Sequence, residues 1–483
     1  MSNSLRFPAA ALLCASALVC FGQQKSNPLA PYVKIDGPVL VLEHVRVIDG
    51  TGAAPKEDMR IVIEHGKIAA VDAMSGAAPA PGDAKVIELT GKTVIPGIVG
   101  MHEHLFYPLP QEPAGGAALY GEMADSAPRL YLAGGVTTAR TGGSLEPYTD
   151  LELKRSIDAG QTPGPKLDVT GPYLEGKGTF ALQMHQLADA DDAARTVDYW
   201  AAEGATSFKA YNFLTAAELK AAIDRAHAHG LKITGHLCSI GFRQAAELGI
   251  DNLEHGLAVD TEFLPEKKPD ECPSSRAVEA YMEKSVPIDG PQIRDLIQTL
   301  VSHHVAVTST LAIFETFAPG QPPIAVERAP LKSLTMEAAK DYLATRAVVT
   351  ERGEGAMMLQ REMQFERAFV AAGGVLMAGC DPTGYGGVLP GFGDQRNIEL
   401  LVQAGFTPLE AIRIATLNGA TFEGKANEIG SIAAGKDADL VVLGGNPAEK
   451  IENITKVETV FKDGVGYDPG KLIESVTGLM GLR

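Results

Sequence analysis

Three scarcities bound this chain of 483 residues. Cysteine is rare: of five, Cys14 and Cys20 lie in an apolar leader, and Cys238, Cys272 and Cys380 remain at irregular spacing, which supports neither a disulfide framework nor a zinc knuckle. Positive charge is outweighed: 42 Lys and Arg against 60 Asp and Glu give a net charge of -18 with no basic stripe, which excludes nucleic acid as a partner. Membrane-spanning runs are lacking too. The apolar stretch from Phe7 to Phe21 is short for a span and follows one cation, Arg6, so residues 1–22 read as an export signal cleaved before Gln23. Bulky Val19 ahead of Cys20 disfavours a lipid anchor, so the expected mature protein is soluble, periplasmic or secreted, and free of the membrane.

What is present is an ordinary globular composition, 45% hydrophobic and 21% charged, on a chain long enough for one large domain and a smaller one. After the leader, Val39–Ile48, Ile61–Ile68 and Val86–Leu89 read as short strands between Gly, Pro and Asp turns. The far end repeats this texture at Asp439–Leu443 and Val457–Phe461. Neither set of strands is large enough to stand alone, so residues 23–96 and 429–483 are expected to build one small β-sandwich domain jointly.

Between them, over 97–428, short apolar strands alternate with amphipathic helices, the pattern of βαβ units around a parallel sheet. Candidate strands fall near 97–104, 135–140, 166–170, 207–211, 232–236, 252–255, 305–310 and 374–381, the number a closed (β/α)8 TIM barrel needs. Helix punctuation is conventional, as with Thr407 as N-cap before Pro408 and Glu410, and Gly230 ending the helix that begins near Ala216.

The first barrel strand, Val94-Ile-Pro-Gly-Ile-Val-Gly-Met-His-Glu-His104, ends in two histidines one residue apart, which strand alternation puts on one face, spaced to grip a metal ion. In a barrel, active sites are built at the carboxyl ends of strands. Lys209, His236, His255 and Asp381 occupy such ends as well. One histidine at a strand end is ordinarily a hydrogen-bonded structural residue; four, with a lysine and an aspartate, point to a metal centre. The chain contains its own control in His227 and His229, with the same spacing but at a helix end, where residues two apart do not share a face. These two, with His303 and His304 and with His44 and His65 in the β domain, are expected at the surface or away from the mouth. His185, in the loop after the third strand, is a candidate substrate contact.

A lysine pointing into a barrel is costly as a buried charge and needs a partner, a lowered pKa or a covalent modification. Carboxylation by carbon dioxide would convert Lys209 into an anionic carbamate able to bridge two divalent cations; the alternative is an ion pair with Asp381 or Glu254. Arg140, ending the second strand, and Tyr211, two residues beyond Lys209, either bind a substrate carboxylate or serve the barrel structurally.

The set resembles the amidohydrolase superfamily, in its binuclear-metal type with a carboxylated lysine, over nearly the whole mature chain and including the tail segment Gly435-Lys-Asp-Ala-Asp-Leu-Val-Val-Leu-Gly-Gly-Asn-Pro447. Ser207-Phe-Lys-Ala-Tyr211 is similar to the lysine strand of dihydropyrimidinases, and the strands of His236 and His255 look more like imidazolonepropionase-like and prolidase-like members. The resemblance implies that His102, His104 and Asp381 hold one metal, His236 and His255 the other, and carboxylated Lys209 bridges them. Zinc is the expected metal because imidazole with oxygen ligands suits it, with manganese, iron and nickel as alternatives. Two cations sharing a water lower its pKa enough to give hydroxide at neutral pH, while Asp381 would take the proton of the attacking water and return it to the leaving nitrogen. The sequence departs from relatives at Cys380, commonly threonine, and at Thr141, commonly acidic; Cys380 should alternate away from the site.

The expected activity is metal-dependent hydrolysis of a C–N amide bond in a small molecule, an Xaa-Pro-type dipeptide or an N-acyl amino acid. The alternatives are a cyclic amide or lactone hydrolase and, from another class, a non-catalytic binding protein, against which the complete ligand set counts. No partner is implied beyond the substrate and a homo-oligomer.

Overall fold

A computed structural model of the chain describes residues 27–481 apart from 110–118, 180, 275–277, 279–280, 283–284, 320–329 and 353–354. The expected export signal lies outside these residues. Among them no helix is long and apolar enough to cross a membrane.

Strands from both ends of the chain share one nine-stranded sheet. The junction is the antiparallel pairing of Thr93–Pro96 with Leu440–Leu443, in which Val441 faces Ile95. Alternation along these strands sorts their side chains to two faces. Leu40, Leu42, Ile61, Ile63, Val94, Leu440, Val442 and Phe461 form a core of their own, whereas Ile95, Val441 and Leu443 join the core of the barrel. The strands expected to build the β-sandwich are continuous in one hydrogen-bonded sheet, because Thr93–Pro96 pairs with Val39–Val47 on its other side and so links the two chain ends.

The remaining strands run parallel, at Ile98–Glu103, Val136–Thr141, Lys166–Asp168 with Thr170–Leu174, Ser207–Ala210, Lys232–Gly235, Asn252–Glu254, Ala306–Ser309 and Leu376–Ala378. They form two ladders rather than one closed ring. One interruption falls inside the third strand, at Val169, beside which Thr170 N donates to the Thr141 hydroxyl. At the other, the eighth strand reaches the first beyond its own end, where Asp381 N donates to His102 O at 3.0 Å. This approach needs Gly379, since a Cβ there would lie 2.3 Å from His102 N.

Helices cover the strands: Thr407 with Glu410 starts Pro408–Arg413 as expected from sequence, and Thr215 with Glu218 forms the same kind of cap on Ala216–Ala228. One cysteine expectation is corrected. Cys238 and Cys272 form a disulfide, their Cα atoms 4.9 Å apart, because the loops after the fifth and sixth strands meet at the barrel mouth, a proximity that a separation of 34 residues does not disclose.

Candidate metal centre

His102, His104, Lys209, His236, His255 and Asp381 line one cavity of about 50 Å³ at the carboxyl ends of the parallel strands. Donor atoms of His102, His104 and Asp381 lie within 4.8 Å of one another. Asp381 Oδ1 is 3.3 Å from His104 Nε2 and 3.8 Å from His102 Nε2, and Oδ2 is 3.7 Å from His255 Nδ1. The rings of His236 and His255 are 4.5 Å apart between centroids.

Local backbone explains how each side chain arrives there. Alternation along Ile98–Glu103 turns His102 and His104 to the cavity and Glu103 away, against Cys380 Sγ at 3.0 Å. Tyr131 pins the main chain of His104, donating from its hydroxyl to His104 O at 2.9 Å and accepting from His104 N at 3.0 Å. His255 and Asp381 follow another rule. Asn252 and Glu254 already point inward, bonded to Arg140, so a continued strand would send His255 outward. His255 instead adopts φ 66° and Asp381 φ 51°, left-handed conformations that turn both side chains into the cavity just past their strands. Gly142 provides clearance for the first pair: a Cβ there would stand 2.7 Å from His102 Cδ2 and 3.0 Å from His104 Cε1.

Electrostatics prepare these groups as donors. Burial lowers the imidazoles of His104 to about 4, of His236 to about 3 and of His255 well below its usual value, so all three are neutral at pH 7 and keep a lone pair. Burial pushes Asp381 up, but the imidazoles of His102, His104 and His255 outweigh it and hold the carboxyl well below the usual range. Burial lowers the Lys209 amine to about 8 against the pull of Glu254 and Asp381, and among the described residues no ion pair joins it to either carboxylate. The residues present fit divalent cations: neutral imidazoles, an ionised carboxylate and a lysine amine close to neutrality converge on one small cavity.

Supporting contacts escaped the sequence reading. Glu254 Oε2 lies 2.7 Å from His102 Nδ1, Thr310 Oγ1 2.7 Å from His255 Nδ1, and the Thr383 hydroxyl donates to Asp381 Oδ1 at 2.7 Å. Alternation from Asn252 could have flagged Glu254; Thr310 and Thr383 come from other segments and left no signal.

Neither Arg140 nor His185 lines this cavity. Arg140 is buried beneath the cavity, where it donates to Met101 O, Asn252 Oδ1 and Glu254 Oε1, so its guanidinium serves the ligand scaffold rather than a substrate carboxylate. His185 is exposed and sits 3.1 Å from Asp192, outside the lining of the metal cavity. Tyr211 does line that cavity, its ring 5.0 Å from that of His236 and 4.8 Å from that of Tyr173. His227 pairs with Asp251, His229 with Asp198 and His44 with Asp58, all on the surface.

Residues 93–466 match the Amidohydrolase family, and the chain belongs to it. An imidazolonepropionase of Parabacteroides distasonis is 45% identical over 65 residues, 13% of this chain and 15% of that one. A dihydroorotase of Anaeromyxobacter dehalogenans is 28% identical over 205 residues, 41% of each chain. The matches thus span less than half the length of either relative. The fold is that of a Xaa-Pro dipeptidase solved with methionine in its active site, at a TM-score of 0.64 and 19% identity over 89% of this chain and 100% of that one.

Proposed function

We propose that this amidohydrolase cleaves the C–N amide bond of a small molecule, a dipeptide of Xaa-Pro type or an N-acyl amino acid, with the help of two divalent metal ions, zinc by the chemistry of the donors. The observation that carries this reading is the convergence of four histidines, Lys209 and Asp381 on one buried cavity. The likeness in fold to a Xaa-Pro dipeptidase supports the choice of bond. The Cys238–Cys272 bridge supports an oxidising, extracytoplasmic setting.

His102, His104 and Asp381 would hold one cation, His236 and His255 the other, with Lys209 between them. Bound cations would supply Lewis acidity to the substrate carbonyl and acidify water. Lys209 is prepared for carbamate formation: lowered to about 8, its ammonium gives up one proton to solvent, the neutral amine attacks carbon dioxide, a nitrogen–carbon bond forms as one carbon–oxygen π bond breaks, a second proton leaves, and a cation in the cavity becomes an anion. Asp381 takes the proton of the attacking water and returns it to the departing nitrogen, which leaves as a neutral amine. Thr383 fixes the carboxylate for this shuttle through its hydrogen bond to Oδ1. Glu254 and Thr310 set the ring orientations of His102 and His255.

The test pairs metal analysis of the purified protein with turnover of a panel of dipeptides, N-acyl amino acids, hydantoins and lactones by wild type and Asp381→Asn. Bound metal and amide turnover that disappears in the variant are expected. A metal-free active protein, or unchanged turnover in the variant, would sink the mechanism.

A further inference from the structure

The metal cavity, at about 50 Å³, has no room for a whole substrate. It shares the wall of His236 with a second cavity of about 590 Å³ in the size range of ligand sites, bounded by the loops after the fourth, fifth and sixth strands and by the helices Leu311–Phe317, Met336–Arg352 and Ala356–Ala371. Phe213, Val259, Phe314, Phe317 and Met358 give this chamber a mainly apolar lining, and the Cys238–Cys272 bridge fixes one side of it. Among the described lining residues one cation stands at the rim, Arg352, exposed at the end of its helix and in no ion pair with any described residue. Apolar walls reward a large hydrophobic group, and a lone guanidinium selects a carboxylate.

We propose that the chamber receives the residue on the amine side of the scissile bond, that this residue carries a bulky aromatic or long aliphatic side chain, and that its free carboxylate meets Arg352. This rests on the amide-hydrolase reading and narrows it to substrates whose released amino acid is large and apolar. Small or polar amino acids leave the apolar walls without a partner. Amines without a carboxylate forgo the guanidinium.

The test uses the metal-loaded enzyme with two readouts, turnover of alanyl-phenylalanine against alanyl-alanine, and calorimetric binding of phenylalanine, alanine and phenethylamine. Wild type is expected to favour alanyl-phenylalanine by at least about tenfold in kcat/KM, the scale of apolar pocket discrimination. Val259→Trp and, independently, Met358→Trp fill the chamber and should erase that preference while leaving metal content unchanged. Arg352→Gln should raise KM for alanyl-phenylalanine about tenfold with kcat held, and weaken phenylalanine but not phenethylamine binding. Equal turnover of the two dipeptides, or preference unaffected by both tryptophans, overturns the chamber; equal loss of both product ligands on Arg352→Gln overturns the carboxylate contact. If neither dipeptide is cleaved while phenylalanine still binds and the tryptophans abolish that binding, the chamber stands and the amide-hydrolase reading falls.

Discussion

Glu254 holds His102 with one carboxylate oxygen, 2.7 Å from Nδ1, and Arg140 with the other, 2.8 Å from the guanidinium. Burial pushes the Glu254 carboxyl up, but His102, Lys209 and Arg140 hold it well below the usual range, so it accepts and His102 Nδ1 donates. With Nδ1 held by Glu254, Nε2 of His102 faces Asp381 Oδ1 at 3.8 Å. Glu254→Gln should weaken metal binding about 10–100-fold, the ordinary effect of losing a partner behind a ligand. Titration with a competing chelator measures it, and an unchanged metal affinity would show that Glu254 does not orient the ring.

Arg140 separates a scaffold role from a substrate role. Replacing it with methionine strands the buried charge of Glu254, and removing one partner of such a pair costs about 3–5 kcal/mol. Denaturant unfolding should register that loss. In the surviving folded fraction KM should stay near the wild-type value; a large rise in KM with intact stability would return Arg140 to the substrate.

Lys209→Ala should abolish turnover and reduce metal content, while native mass spectrometry of wild type shows an added carbon dioxide that the variant lacks. Absence of that increment, together with full activity of the variant, would contradict carboxylation.

Glu175 titrates in a stability-dependent way. It is buried after the third strand, accepts from Gly176 N and Phe213 N at 2.8 Å each, and burial raises its carboxyl from 4.5 to about 7. Between those values the folded protein keeps a proton that the unfolded chain has released. The associated stability is therefore whole below pH 4.5 and is lost as pH rises through 7. Relative to Glu175→Gln, wild type should lose up to about 1.4 kcal/mol per pH unit within that window. A pH-independent difference between the two in urea denaturation would refute the assignment.

The Cys238–Cys272 bridge closes a loop of 34 residues. Replacing both cysteines with serine should cost about 3–4 kcal/mol on the chain-entropy scale, read as a lowered Tm. Reductant should produce the same shift in wild type and none in the variant.

The ligand residues were readable because barrel strands are short, apolar and bounded by turns, so that a polar residue at a strand's end stands out, as His236 does after Lys232–Gly235. Alternation accounts for His102 and His104 and for Cys380 lying behind the site against Glu103. It does not account for His255 and Asp381, whose left-handed backbone depends on how the mouth closes around them. Sequence left the role of Arg140 open because its partners, Asn252 and Glu254, stand more than a hundred residues away, and a cation at a strand end looks alike whether it faces substrate or scaffold. The disulfide was missed for the same reason: only folding brings its two loops together.

The pairing of Thr93–Pro96 with Leu440–Leu443 bears on timing. Thr93–Pro96 leads almost directly into the strand carrying His102 and His104, yet its antiparallel neighbour is synthesised after every proposed ligand. An N-terminal fragment ending after Asp381 therefore holds all six donors while the segment anchoring the first two lacks that neighbour. Full support for the segment leading to His102 and His104 is thus completed only once Leu440–Leu443 is in place.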